Sequence, residues 1–210
     1  MADIQYNFIN LPSRIEFENG HVISYLYDAD GIKLRTTHII GSDTTVTDYC
    51  GNVIYENGIP VKLLTEAGYV TLADSKYHYF VQDHLGNNRV VVDQSGNVEE
   101  VNHYYPFGGL LSSSVSNAVQ PYKYNGKELD RKNGLDWYDY GARMYDAALG
   151  RWHAVDPMSE KYYSISSYVY GLNTPHNCID PDGQKIIFVN GYLGFGSPRG
   201  GGTYWGGVNS

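Results

Sequence analysis

Two aspartates, each followed by a proline, are the residues of this sequence best suited to do chemistry. Asp156 lies near the end of GRWHAVDP at 150–157, and Asp180 begins DPDG at 180–183, 24 residues later (180 − 156 = 24). Proline fixes φ and lacks a backbone donor, so each carboxyl is expected at a rigid turn. Two carboxyls face to face do not both ionise readily. One keeps its proton, the other becomes a base, and together they can activate water against a peptide carbonyl.

The same residues also have a plainer interpretation. Asp-Pro is a common turn signal, and on the residues alone this interpretation is favoured. Arg151 lies just before Asp156 and could pair with a carboxylate and lower its pKa, although an arginine at a strand end is the preferred explanation. His153 and His176 are close to the aspartates in sequence, but they form no triad with a serine.

No other pattern in the sequence predicts a metal or a cofactor. The seven histidines and two cysteines show no ligand spacing, and there is no Gly-x-Ser-x-Gly elbow. The glycine-rich stretch 194–202 lacks the Gly-Lys-Ser/Thr of a phosphate loop, and Pro198 opposes a helix there. Cys50 and Cys178 are predicted to be buried free thiols.

The overall composition argues against several classes of protein. A net charge of −8 over 210 residues, without any lysine- or arginine-rich run, argues against nucleic-acid binding. No run approaches the roughly 20 apolar residues of a membrane span. Residues 1–8 have neither the basic end nor the apolar core of a signal peptide.

Tyrosine and glycine dominate the pattern, with 21 and 24 residues, which favours β-structure cut by tight turns. An Asp-x-x-Gly unit recurs between alternating apolar stretches, at 28–31, 48–51, 83–86 and 93–96. The aspartate can accept hydrogen bonds from the turn amides, and glycine supplies the positive φ. We predict an antiparallel meander to about residue 105, with one short strand at 88–92. An ordinary antiparallel β-protein would use the same turns.

One copy of the unit, YDADGIKLR at 27–35, resembles the Tyr-Asp repeat of Rhs/YD-repeat proteins. Further segments resemble family motifs and occur in the family's order: DHLGNNR at 83–89, YPFG at 105–108, YNGKELD at 124–130, YDYGARMYDAALGRW at 138–152, NTP at 173–175 and DPDG at 180–183. Residues 5–183 are therefore identified as similar to the Rhs-repeat-associated core domain of polymorphic toxins. The form of the motifs resembles that of members from Bacteroidetes.

The resemblance implies a mainly β fold, an antiparallel YD-repeat meander that forms part of a β-shell, with a short helix near a C-terminal plug. It divides the chain into a meander at 1–111, core and plug at 112–183, and the start of an incomplete effector region at 184–210. Residues 137–149 fit a helix or a strand by spacing, and the family favours a strand. The short helix is predicted at 166–172, with Ser166 or Ser167 as its cap and Pro175 as its stop.

The resemblance also implies an aspartyl-protease-like site that cuts its own chain, as a single-turnover peptidase at most. The carried-over residues are Asp156 and Asp180 as the pair, and the bond after Gln184, beside Gly183, as the scissile position. The family usually has leucine or another apolar residue where Gln184 stands. This departure bears on the cut and not on the fold.

The implied partners are the chain's own upstream repeats, a C-terminal effector and a secretion apparatus, with self-association through open strand edges. The expected location is the cytoplasm before export, then outside the cell or on its surface. Two other functions stay open: a tyrosine-rich β-surface that binds carbohydrate or another cell, and a hydrolase-type effector that begins at residue 185. The apolar run 185–189 is predicted to be a strand buried on both faces, and the tail to 210 is too short for a core.

Overall fold

The computed structural model describes residues 3–112, 114–116, 120–161 and 163–189. Antiparallel strands joined by tight turns make up most of it, which confirms the predicted mainly β fold. The strands are β1 (Asp3–Tyr6), β2 (Pro12–Glu16), β3 (Val22–Tyr27), β4 (Lys33–Ile40), β5 (Asp43–Cys50), β6 (Val53–Glu56), β7 (Ile59–Thr65), β8 (Gly68–Thr71), β9 (Lys76–Gln82), β10 (Asn88–Asp93), β11 (Val98–Val101), β12 (Val115–Ser116), β13 (Glu128–Asp130), β14 (Trp137–Asp139), β15 (Met144–Asp146), β16 (Arg151–Trp152), β17 (Cys178–Ile179) and β18 (Ile187–Phe188). Short 3₁₀ turns lie at Tyr124–Gly126, Lys132–Gly134, Ser159–Lys161 and Gly171–Asn173.

Strands β1 to β12 form one sheet in which each strand pairs with the next in the chain. A smaller sheet, β13 to β16, follows the same order, and β17 pairs with β18. The meander runs beyond residue 105, because Glu100 and Val101 of β11 pair with Ser116 and Val115 of β12. Within the described ranges, no helix is long and apolar enough to cross a membrane.

The Asp-x-x-Gly units that begin at Asp28, Asp83 and Asp93 form turns as the sequence predicts, whereas Asp48 lies within β5 and its carboxylate pairs with Arg35. Asp93 Oδ1 accepts hydrogen bonds from the backbone amides of Ser95 and Asn97, at 2.8 and 2.9 Å. Gly96 takes a φ of 83°, which an L side chain adopts only with strain. The turn that begins at Asp83 has the same bonds, so β10 lies between two identical turns.

A first apolar cluster joins the large sheet to the small one. Side chains of β2 and β3 pack against the β14–β15 hairpin and the residues before it; the buried members are Ile15, Ile23, Tyr25, Leu135, Trp137 and Met144. Because these residues come from both sheets, the C-terminal region packs against the meander through a shared core.

A second cluster is almost wholly aromatic and forms the core of the C-terminal region. Its buried members are Tyr124, Leu129, Tyr138, Tyr140, Tyr145, Trp152 and Tyr170. The rings meet at tilted and edge-on angles, for example Tyr145 and Tyr170 with centroids 4.4 Å apart. This packing supports β14, β15 and β16, the strands that flank the candidate site.

Strand structure is confirmed for residues 137–149, but as two strands separated at Gly141, where φ is 92°. The short helix predicted at 166–172 is wrong. Regular structure there is limited to the 3₁₀ turn Gly171–Asn173, and Leu172 and Asn173 have φ values of 53° and 58°. Positive φ at consecutive residues is incompatible with a right-handed helix, and no serine side chain caps this turn.

Burial was mispredicted at two other places. Cys178 is buried, but Cys50 is exposed, because it ends β5 beside the turn at Gly51. The strand expected to be buried on both faces is the two-residue β18, and Ile187 and Phe188 are 48% and 41% exposed, since β18 pairs with β17 at the edge of the domain. The rest of the predicted effector tail, 190–210, lies outside the described residues.

A buried ion pair ties β11 to the segment that leads into the small sheet. Glu100 is fully buried and Lys123 is 3% exposed, and Lys123 Nζ lies 2.5 Å from Glu100 Oε1. Gln120 and Asn102 donate to the same carboxylate oxygen. Burial lowers the pKa of Lys123, and Glu100 acts in the opposite direction.

Replacing Lys123 by methionine should lower the free energy of unfolding by about 3–5 kcal/mol, because it removes the ammonium that pairs with the buried Glu100 carboxylate. The double variant Glu100→Gln/Lys123→Met should recover most of that loss. Urea unfolding followed by tryptophan fluorescence gives the values, with Lys132→Met at an exposed position as the matched control. Equal losses for Lys123→Met and Lys132→Met would contradict the role of the pair.

His153 is the histidine best placed to make stability depend on pH. Its ring contacts that of Trp137 in a tilted arrangement, with centroids 3.6 Å apart. Burial lowers its pKa, and Asp146, with Oδ2 3.9 Å from Nε2, opposes this only partly. The unfolded chain therefore takes up this proton first as the pH falls, so stability is lost below about pH 6.5.

We expect His153→Phe, which keeps an aromatic ring beside Trp137 and removes the titration, to flatten the fall in unfolding free energy between pH 8 and 5. The measurement is a set of urea curves across that range. His84→Phe, at an exposed turn position, is the control and should keep the wild-type slope. A wild-type slope in His153→Phe as well would assign the pH dependence to other groups.

Candidate active site

The two Asp-Pro aspartates come together in the structure. Asp156 follows β16 and Asp180 follows β17, and their residues are 8% and 1% exposed. The Asp156 turn is closed by Oδ1, which accepts from the Met158 amide at 2.7 Å, and by its own amide, which donates to Ser167 O at 3.2 Å. Each carboxyl is thus held by its own turn, as the proline after it predicts.

Arg143 is the residue that joins them. Its Nη2 lies 3.1 Å from Asp156 Oδ2 and 3.3 Å from Asp180 Oδ2, and the side chain is only 2% exposed. The guanidinium carbon lies 4.2 Å from the centroid of the Trp152 ring, so a cation–π contact supports it from one side. One buried cation therefore holds both carboxylates at the same nitrogen.

The Asp180 carboxyl also organises the chain that follows it. Its Oδ1 accepts from the amides of Gly183 at 2.8 Å, Gln184 at 3.0 Å, and both Asp182 and Lys185 at 3.3 Å. Burial raises the pKa of Asp180, while Arg143 and these amides act in the opposite direction. The net direction is upward, so this carboxyl keeps its proton to a higher pH than an exposed aspartic acid does.

Three consecutive carbonyls of the 181–183 loop are each held by one donor. The donors are Lys127 Nζ at 2.5 Å, the Ala142 amide at 3.1 Å and Arg143 Nε at 2.6 Å, in chain order of the carbonyls. The loop is therefore fixed both through its amides, by Asp180, and through its carbonyls. The fixed loop therefore determines where the peptide groups around Gln184 lie.

A cleft of about 480 Å³ lies beside this loop. It is open to solvent, and its lining includes Ile9, Leu11, Ile32, Pro157, Pro181 and Gln184. Several of these residues are apolar and come from the first repeat turns, so the meander supplies one wall of the site.

The sequence analysis singled out the aspartates and the loop, and for Arg151 the preferred interpretation, an arginine at a strand end, is the one that the structure has. Arg151 is exposed on β16, where its backbone bridges to Val169, and Arg143 takes the place between the carboxylates. A signal existed in the sequence: Arg143 is a charged residue inside the aromatic stretch 137–145, and a buried arginine there requires carboxylates.

No group of three or more histidine, cysteine, aspartate or glutamate side chains in the described part of the chain is arranged to hold a metal ion. The arrangement is a pair of buried carboxyls that share one guanidinium. Such a pair can divide its protons unevenly, with one group as acid and the other as base.

Comparison with known proteins gives consistent matches. The model of the teneurin YD-shell family matches residues 63–175. The Salivary gland surface protein 1 of Aedes aegypti is 32% identical over 88% of this chain, and Toxin subunit YenC2 of Yersinia entomophaga is 36% identical over 46% of it. The chain covers 6% and 10% of those proteins.

A solved structure has the same fold. The Tc holotoxin pore of Photorhabdus luminescens matches 90% of this chain with a TM-score of 0.73 and 20% sequence identity, over 10% of that chain's length. Because the match covers 90% of the chain, it includes both the meander and the C-terminal region that carries Arg143.

Replacing Arg143 by methionine should leave two carboxyls close together without a cation. We expect the free energy of unfolding at pH 7 to fall by about 3–5 kcal/mol. The loss should shrink as the pH approaches about 4, since protonated carboxyls need no cation. Urea unfolding at both pH values is the measurement. Arg151→Met, the same change at an exposed position, should stay within about 0.5 kcal/mol of wild type, and equal losses would refute the bridge.

Proposed function

Because the chain belongs to the teneurin YD-shell family, we propose that this shell segment is the C-terminal core of an Rhs-type toxin, which encloses a C-terminal effector and releases it by cutting its own chain after Gln184. The observation that carries the proposal is the pair Asp156 and Asp180 on one nitrogen of Arg143, beside the loop that leads to Gln184.

The sheet order supports a shell that continues beyond this chain. Strands are added strictly in sequence, so further repeats can extend the sheet at β1 without disturbing it. The chain is also a small fraction of the length of its relatives, 6% to 10% for the two proteins above, and YenC2 is named as a toxin subunit. Upstream repeats and an effector of the same polypeptide are the partners we propose, with delivery outside the producing cell.

The chemistry we propose is hydrolysis of the Gln184–Lys185 peptide bond. Asp156 acts as base and takes a proton from a water molecule, whose oxygen attacks the Gln184 carbonyl carbon. Asp180, whose pKa is raised by burial and whose Oδ1 lies 3.3 Å from the Lys185 amide nitrogen, supplies the proton that the departing amine needs. The carbon–nitrogen bond then breaks to leave a carboxylic acid at Gln184 and an amine at Lys185.

Little binding energy is needed for this reaction, because the scissile segment is tethered to the site. The bonds from four amides to Asp180 hold the chain there before any water attacks. Gln184 stands where the family usually has an apolar residue, so we expect the cut to be slow. Each chain holds one Gln184–Lys185 bond, so the cut occurs once per chain.

A second candidate, a carbohydrate-binding surface, has one specific observation in its favour. Tyr77 and Tyr79 of β9 are 50% and 41% exposed, and their rings stack with centroids 6.5 Å apart. Exposed aromatic pairs suit the flat apolar faces of sugars. We rank this second, because it makes no use of the buried charges of the C-terminal region.

The test is the intact mass of the purified chain against Asp156→Asn and Asp180→Asn. We expect wild type to lose the piece that begins at Lys185, and each variant to lose it at least ~100-fold more slowly, as for removal of an acid or base. Asp146→Asn, a partly buried carboxyl outside the Arg143 pair, should cut like wild type. Full-length mass in every sample after prolonged incubation would refute self-release by this chain.

A further inference from the structure

We propose that Lys127 is a positioning residue for the candidate cleavage loop: its ammonium holds the Pro181 carbonyl and thereby fixes the peptide groups that follow. The observed contact is from Nζ to the Pro181 oxygen, at 2.5 Å. The same ammonium lies 5.3 Å from the centroid of the Tyr140 ring. For the rate of cutting, this inference rests on the self-cleavage proposed above; for the geometry of the loop, it does not.

The backbone that carries Lys127 is firmly anchored. It follows the 3₁₀ turn Tyr124–Gly126, in which Asn125 has a φ of 49°. Asn125 Oδ1 accepts from the hydroxyls of Tyr140 at 2.7 Å and Tyr170 at 2.6 Å, and its Nδ2 donates to Leu85 O at 2.8 Å. Asn125 thus connects the aromatic core, a turn of the meander and the backbone that carries Lys127.

Burial and three nearby acids act in opposite directions on the charge of Lys127, and burial has the larger effect. Burial lowers the pKa of Lys127, but Asp139, Asp180 and Asp182 all act in the opposite direction. An ammonium between these acids places positive charge near Asp180 and can stabilise its ionised form. Lys127 therefore acts on Asp180 in two ways: electrostatically, and by holding the loop that follows Asp180.

The geometric consequence follows from where the three loop donors originate. Ala142 and Arg143 belong to the β14–β15 hairpin, whereas Lys127 belongs to the turn before β13. The 181–183 loop is thus held from two separate elements. Losing the Lys127 contact would free the loop to pivot on the hairpin, and shifts of about 1 Å at a reacting group are enough to slow a reaction strongly.

The primary test is hydrogen exchange in the full-length chain with Asp156→Asn, where the loop stays uncut. In Lys127→Met, the amides of Gly183 and Gln184, which donate to Asp180, should exchange roughly tenfold faster, as expected for loss of one hydrogen bond to a charged group. Lys127→Arg should stay near the parent, and β10 amides should be unchanged in both. Unchanged protection of residues 183 and 184 in Lys127→Met would overturn the inference.

The second test is the rate of release followed by intact mass across pH, in chains with both aspartates. Lys127→Met should slow release at least about tenfold and move the alkaline limb of the pH–rate profile upward, since Asp180 must be protonated to act as the acid and loss of a nearby positive charge raises its pKa. Lys132→Met, a change at an exposed lysine of the next turn, should move neither. A slower rate with an unmoved limb would overturn the electrostatic part. If wild type releases nothing, self-cleavage fails, while the exchange experiment still decides the role of Lys127.

Discussion

The C-terminal region depends on the ion pairs that the buried guanidinium of Arg143 makes with Asp156 and Asp180. Removing two carboxylates and a guanidinium from water is costly, and the attraction between them compensates only if the remaining hydrogen-bonding atoms are also satisfied. Here they are: Arg143 also donates to Gly183 O and Ser167 O, and Asp180 Oδ1 accepts from backbone amides. The network joins the turns after β16 and β17 to the β14–β15 hairpin. The charges are thus part of the core, and any change in the position of one turn is transmitted to the other.

The tyrosines explain how an aromatic core coexists with so much polar backbone. Three hydroxyls from the core reach the same turn: Tyr124 donates to Pro106 O, Tyr145 to Phe107 O and Tyr138 to Gly108 O, all at 2.8–2.9 Å. Phenylalanine in their place would remove these donors, and the cost would be greatest at the carbonyl of Gly108, which is buried. Gly108 is required there, because a Cβ would lie 2.6 Å from the Tyr124 ring. The YPFG segment is therefore one of the structural links between the meander and the C-terminal region.

The parts that could be predicted from the sequence are those decided by neighbouring residues. Asp-x-x-Gly turns specify their own hydrogen bonds within five residues, so the meander and strand β10 followed from the pattern. Aspartates before proline were correctly expected at rigid turns. What failed was decided by distant contacts. Arg143 pairs with carboxyls 13 and 37 residues away, and Leu172 adopts its left-handed conformation within a packed loop, so neither is visible to local periodicity.

The non-local origin of the site has a consequence for when it can act. In the unfolded chain Asp156 and Asp180 are far from each other and fully solvated, so neither has a defined neighbour. The pair exists only after the hairpin that carries Arg143 has packed on the turns after β16 and β17. On the function proposed here, the cut therefore waits for the shell core to fold, and an effector is released only inside a completed enclosure. A site built on one local motif would lack this condition, since it could act on an unfolded chain.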